Sequence, residues 1–224
     1  MITNSSSSAA SSTRRAGCES CNRPASACIC HWATPVATQV EVVLLQHPLE
    51  LKHPKGSARL LHLSLPGSVL LVAERIADAA LHDLLYSPLG SAAKENGKAP
   101  SAVRQPILLY PRTDDVTAGD MRTPAALDPA QVRLVVLDGT WRKSRRMLHE
   151  HPLLQTLPRL ALDAPPPSRY RIRHAHRADQ LSTLEATCHA LAQLEKDEAK
   201  YQPLLHAFDK FIEAQQAWFF GKEL

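Results

Sequence analysis

Four apolar runs, each closed by a polar or proline-bearing turn, frame this chain. Residues 40–45 read VEVVLL and stop at Gln46-His47-Pro48, while VLLV at 69–72 is followed by ADAALHDLLY, whose apolar spacing is helical. The run ILLY at 107–110 stops at Pro111, and VRLVVL at 132–137 stops at Asp138-Gly139. Runs with so little polar alternation suit strands buried on both faces, which predicts an α/β fold: a mostly parallel sheet flanked by helices. Residues 87–105 read as a loop. The C-terminal quarter is helical: Ser182-Thr183-Leu184-Glu185 is a capping box opening a helix to about Ala199, and a last helix covers about Gln202 to Phe220. Open parallel sheets bind ligands beyond the carboxyl ends of their strands. The turns at 47–48, 110–111 and 138–141 are therefore expected to frame one pocket.

The chemistry concentrates at 134–148, LVVLDGTWRKSRRML. Asp138 stands at a strand mouth, where it can act as a general base or orient a substrate, or can simply cap the next helix. Trp141 can serve as pocket wall or core. On a helix from Thr140, Arg142, Arg145 and Arg146 share a face; stacked like charges cost a few tenths of a kcal/mol per pair unless an anion, or scattered acids, offset them. A second basic group holds Arg169, Arg171, Arg173, His174, His176 and Arg177. The net charge of +4 is weak, but this clustering is the footprint of a phosphate-bearing partner. No glycine-rich dinucleotide fingerprint and no P-loop is present, which argues against nicotinamide and P-loop chemistry; metallohydrolase and serine-hydrolase signatures are also missing.

Cys18, Cys21, Cys28 and Cys30 form a C-x2-C-x6-C-x-C array. The serine-rich start has no apolar signal core, and no run is long enough to span a membrane, so the expected compartment is the cytoplasm. In a reducing compartment close-spaced cysteines favour a structural Zn²⁺ site over the alternative, a disulfide-bonded tail. Cys188 reads as a small buried apolar residue. The expected organisation is a disordered tail at 1–17, a zinc-binding segment at 18–35 and a main α/β domain at 36–224, which the resemblance below makes the catalytic one.

Asp138-Gly139-Thr140-Trp141 is a D-x-T-W motif, and the chain resembles the DTW-domain family through it. The cysteine array with Cys21-Asn22-Arg23-Pro24, His47-Pro48-x-Glu50, Leu109-Tyr110-Pro111 and Ser182-Thr183-Leu184-Glu185-Ala186 are similar to that family's other landmarks, in the same order. The resemblance implies a SPOUT-like fold with a C-terminal trefoil knot, and transfer of the 3-amino-3-carboxypropyl group of S-adenosylmethionine to N3 of a tRNA uridine in the variable loop, releasing methylthioadenosine. It implies Asp138 as the catalytic residue. Leu109, Tyr110, Pro111, Leu137, Gly139, Thr140, Trp141, Ser182, Thr183 and Glu185 would line the donor pocket, although Glu185 has an ordinary task as the capping acid. Lys55, Arg59, Arg142, Arg145, Arg146, Arg169, Arg171 and Arg173 would hold tRNA. Gly56-Ser57 departs from the asparagine-threonine-like pair expected there. An RNA methyltransferase and a zinc-stapled RNA-binding module are the competing readings. No membrane association and no obligate protein partner are expected.

Overall fold

The computed structural model describes residues 17–51, 53, 56–89, 104–111, 121–162 and 181–220, without the side chains of 125 and 218–220. Its centre is a six-stranded sheet: β1 (Glu41–Gln46), β2 (Val69–Val72), β3 (Gln105–Leu109), β4 (Met121–Arg122), β5 (Val132–Asp138) and β6 (Arg159–Leu160). The order is β2-β1-β5-β3-β6-β4, and every pairing is parallel. The apolar runs thus become the strands the sequence predicts. The two-residue strands β4 and β6 are too short to leave a periodic signature.

Alternate residues of each central strand feed two separate cores, as pleating requires. Val42, Leu44, Ile107, Leu134 and Val136 pack on one face with α1 (Ala58–Ser64), α5 (Thr183–Glu195) and α6 (Gln202–Phe220). Val43, Leu45, Leu108 and Val135 pack on the other with α2 (Asp78–Tyr86), α3 (Trp141–Glu150) and α4 (Pro152–Gln155). Cys188 is wholly buried in the first core, as expected.

Helix α5 ends four residues before the predicted stop. Lys196 turns left-handed at φ 54°, and Asp197 N–H donates to the Ala192 carbonyl (3.1 Å), closing the helix. Glu195 is fastened elsewhere: its carboxylate accepts from Gln39 N–H (2.7 Å) and from Lys200 Nζ, tying the helix end to the approach to β1. This tertiary pull outweighs the helical propensity of Lys196 to Ala199. The start of the chain, 1–16, lies outside the described residues, and Gly17 already pairs with Pro24. Residues 163–180 also lie outside them, and among the described residues no knot is traced.

Candidate functional site

Because all strands run the same way, the ends of β1, β5 and β3 share one edge, and the three predicted turns do meet there. Their side chains separate by face. Gln46 and Asp138 are register partners on β1 and β5, on the α5 side; Tyr110, just after β3, faces the α3 side with Leu108.

Asp138 is buried, and both of its oxygens are engaged from other segments. Oδ2 accepts from Gln46 Nε2 (2.8 Å) and Oδ1 from the Thr183 hydroxyl (2.6 Å). The cap of α3 is Thr140, whose Oγ1 accepts from Lys143 N–H (3.4 Å). The Asp138 carboxylate is thus tied to β1 and to the start of α5, while the N-cap position of α3 belongs to Thr140. Gly139 makes the tight turn possible: a Cβ there would stand 3.1 Å from Lys143 Cβ. Gln46, read from sequence only as a strand exit, is 2% exposed, and its Oε1 has no hydrogen-bond partner. A polar residue closing an apolar strand opposite the aspartate was the signal that could have identified it.

Thr183 opens α5. Ser182 caps it, with Glu185 N–H donating to Ser182 Oγ (3.2 Å) and Ser182 N–H to Glu185 Oε2 (2.8 Å). The capping box exists as predicted, and Glu185 is buried in that task. Ser57, at the departure from the family pattern, accepts from Leu184 N–H (3.4 Å), so its hydroxyl supports the same helix start.

On the α3 side, the Tyr110 and Trp141 rings meet edge to face (5.9 Å, 80°). Trp141 remains 42% exposed, so it is wall rather than core. The Tyr110 hydroxyl is buried without a partner, and burial holds its pKa above the usual value. Leu109 and Leu137 fill the α5-side and α3-side cores, while Pro111 is exposed. Leu49 and Leu51, exposed beside the end of β1, join Trp141 as the large apolar side chains most open to solvent among the described residues.

The basic helix is partly neutralised from within. Lys143 Nζ pairs with Glu50 Oε1 (2.6 Å), and Arg146 pairs with Glu150 (2.8 Å) and Glu74 (3.1 Å). Glu74 also lies 3.7 Å from His47 Nε2. Arg142 and Arg145 are exposed on α3, whereas Arg59 sits half-buried on α1, against the opposite face of the sheet. Of the eight RNA-binding candidates, the four described ones are thus divided between α3 and α1. Lys55, Arg169, Arg171 and Arg173 lie outside the described residues.

The four array cysteines come together, their sulfurs all within 4.8 Å of one another. Cys18 to Cys30 is 3.5 Å and Cys21 to Cys28 is 3.9 Å; a tetrahedral zinc with Zn–S bonds of about 2.3 Å needs sulfurs about 3.8 Å apart. The cluster can therefore hold a metal such as zinc, and its four sulfurs complete the coordination. Asn22 takes the left-handed turn (φ 56°) that brings Cys21 back, a conformation asparagine tolerates. The segment is no loose tail: Cys21 and Ile29 are buried with Phe208 and Phe211 of α6, and the Arg23 guanidinium lies over the Phe211 ring (5.8 Å).

Among the described residues, no helix is long and apolar enough to cross a membrane. No solved structure matches the chain. A Drosophila melanogaster protein named tRNA-uridine aminocarboxypropyltransferase 2 is 33% identical over 205 residues, covering 88% of this chain and 75% of its own length. Its Mus musculus namesake is 24% identical over 196 residues, covering 86% of this chain and 61% of that protein. An Arabidopsis thaliana tRNA-uridine aminocarboxypropyltransferase A is 29% identical over 146 residues, covering 60% and 51%. The DTW domain model matches residues 15–216, almost the whole described structure, and the chain belongs to the DTW-domain family.

Proposed function

We propose that this protein transfers the 3-amino-3-carboxypropyl group of S-adenosylmethionine to N3 of a uridine in tRNA, in the variable loop. The observation that carries this reading is the buried Asp138 carboxylate, fixed by Gln46 and Thr183 at the end of β5. The names of the relatives support the transfer.

In the reaction the N3–Cγ bond forms as the Cγ–sulfonium bond breaks. The electron pair of the broken bond stays on sulfur, giving methylthioadenosine, and the N3 proton passes to Asp138. Each carboxylate oxygen carries two lone pairs, so accepting from Gln46 or Thr183 does not by itself prevent it from taking that proton. Alignment of the reactants supplies much of the acceleration. The unpartnered Gln46 Oε1 is a further acceptor beside the carboxylate. The donor would lie along the strand ends, walled by the Leu109–Pro111 turn, Leu137, Gly139–Trp141 and the Ser182–Glu185 helix start. Arg142 and Arg145, with Lys55, Arg169, Arg171 and Arg173, would face tRNA phosphates. The cysteine cluster would hold structural Zn²⁺. The same reading carries a SPOUT-type knotted domain acting in the cytoplasm.

The test is incubation of the purified protein with S-adenosylmethionine and unmodified tRNA, followed by mass spectrometry of nucleosides and cofactor products. Aminocarboxypropyl-uridine with methylthioadenosine is the expected outcome. Methyluridine with S-adenosylhomocysteine would assign a methyltransferase instead. Intact tRNA binding with neither product would favour a binding module.

A further inference from the structure

Two arginines are fully buried in the sheet, and they are treated differently. Arg133, 1% exposed on β5, has a complete set of partners: Nε and Nη2 each lie 2.7 Å from Glu41 Oε2, and Nη1 donates to the Leu84 carbonyl (2.8 Å). Arg159, 2% exposed on β6, has no acceptor for Nε or Nη2 and no carboxylate partner among the described residues. Its guanidinium lies over the Tyr110 ring (5.4 Å), whose own buried hydroxyl is also unpartnered. A ring face repays only part of the desolvation of a cation. Two neighbouring buried donor groups without acceptors have the chemistry to hold an anion.

We infer that Arg159, with the Tyr110 hydroxyl beside it, binds the carboxylate of the donor's aminocarboxypropyl end; this rests on the aminocarboxypropyl-transfer reading. Several observations point to a small ligand's carboxylate rather than an RNA phosphate. A guanidinium this deeply buried is out of reach of a polymer backbone, whereas Arg142 on α3 is exposed to it. The guanidinium fork pairs with a carboxylate in bidentate fashion. Tyr110 belongs to the turn that closes β3 at the candidate site, and its ring is shared between Arg159 and Trp141. Burial keeps the Tyr110 phenol protonated, hence a donor. The sequence hid this residue, because a single arginine in LPRLAL carries no periodic or motif signal.

The experiment uses the full-length, metal-loaded protein in calorimetric titrations with S-adenosylmethionine, its decarboxylated analogue and methylthioadenosine. Wild type should prefer S-adenosylmethionine over the decarboxylated analogue on the order of 10- to 100-fold, the range for a hydrogen-bonded charge pair. Arg159→Met should abolish that preference while methylthioadenosine binds as before and the Tm of the free protein is no lower than wild type. Arg159→Lys, which keeps charge without the fork, should retain part of the preference. Equal weakening toward all three ligands, unchanged discrimination, or loss of tRNA binding with S-adenosylmethionine binding intact would overturn the assignment. Aminocarboxypropyl-uridine formation by a wild type whose discrimination survives in Arg159→Met would sink this inference and leave the proposed reaction standing. Discrimination lost in the variant, with no such product from wild type, would support the carboxylate site and refute the reaction. Failure of wild type to bind S-adenosylmethionine would overturn both.

Discussion

The hydroxyl of Thr183 is the shortest link between the helical layer and the Asp138 carboxylate, and Thr183→Val removes it with almost no change of shape. The donated hydrogen bond (2.6 Å) goes to a charged acceptor, and such bonds contribute about 1.5–3 kcal/mol. Thr183 is half-buried, so water can partly replace its hydroxyl, and the lower end applies: about 1.5 kcal/mol. In a domain of this size each kcal/mol moves Tm by roughly 2–4 °C, so Val should lower it by about 3–6 °C. Urea unfolding should show a lower midpoint at unchanged m. Helix propensity does not confound the change, since threonine and valine rank together. Transfer to tRNA should suffer separately. A carboxylate held on one side only loses its aim, and a roughly tenfold fall in kcat/KM corresponds to about 1.4 kcal/mol of transition-state stabilisation. Thr183→Ser restores the donor and should recover most of both losses. A Val variant with wild-type stability and wild-type kcat/KM would refute the idea that Thr183 positions Asp138.

Replacing Cys18 or Cys28 with serine should cost the protein its metal, read by elemental analysis, and lower Tm, because the cysteine segment shares a core with Phe208 and Phe211; full Tm without metal would oppose this. Burial pushes the Glu195 carboxyl up, but Lys200 and the Gln39 amide outweigh it and leave it below the ordinary value. A depressed folded pKa contributes stability above the unfolded pKa that is lost as pH falls through the folded one, so wild type should weaken below about pH 4.5, with Glu195→Gln losing less over the same range. Matched pH–stability curves would count against that anchor. On α3, Arg142→Ala should weaken tRNA binding and reduce the salt slope by about 1. Arg146→Ala should act mainly on stability, and only slightly, since its pairs with Glu150 and Glu74 are surface pairs. The reverse ranking would overturn this division of the two arginines.

The strands were readable because sandwiching between two helical layers makes them continuously apolar, and their C-terminal turns were readable because parallel strands put those turns on one edge. The capping box at Ser182 and the start of α6 were equally local. What escaped was set by distance in the chain. Glu195 stops α5 early through Gln39, and β6 exists only through its pairing with β3 and β4. Gln46 is polar because Asp138, on a strand formed some ninety residues later, lies directly opposite it. Arg159 is chemically conspicuous only once Arg133 shows what a satisfied buried arginine looks like. The D-x-T-W motif marked the candidate site, but the division of labour within it, with Thr140 as cap and Asp138 as held carboxylate, is a matter of geometry.

That division explains why so much charge gathers around one strand mouth. Helix α3 enters the site edge with four basic residues in five positions, which by themselves would repel one another. Glu50, from the turn after β1, pairs with Lys143, and Glu74, from the segment after β2, pairs with Arg146 while approaching His47. Two of the four cations are therefore used to bind the loop edges of β1 and β2 to the start of the helix that follows Asp138. The His-Pro-x-Glu landmark and the basic helix are parts of one clamp rather than separate binding elements. The clamp closes the α3 side, Thr183 and Gln46 close the α5 side, and Asp138 is held between them. Arg142 remains exposed on α3, at the edge where a polyanion would arrive. A double-mutant cycle between Glu50→Gln and Lys143→Met should therefore show coupling in stability, at the upper end of the about 0.2–1 kcal/mol typical of ion pairs because both side chains are largely buried. The same pair should show little coupling in tRNA affinity; strong coupling there would mean that Lys143 leaves Glu50 to grip the RNA.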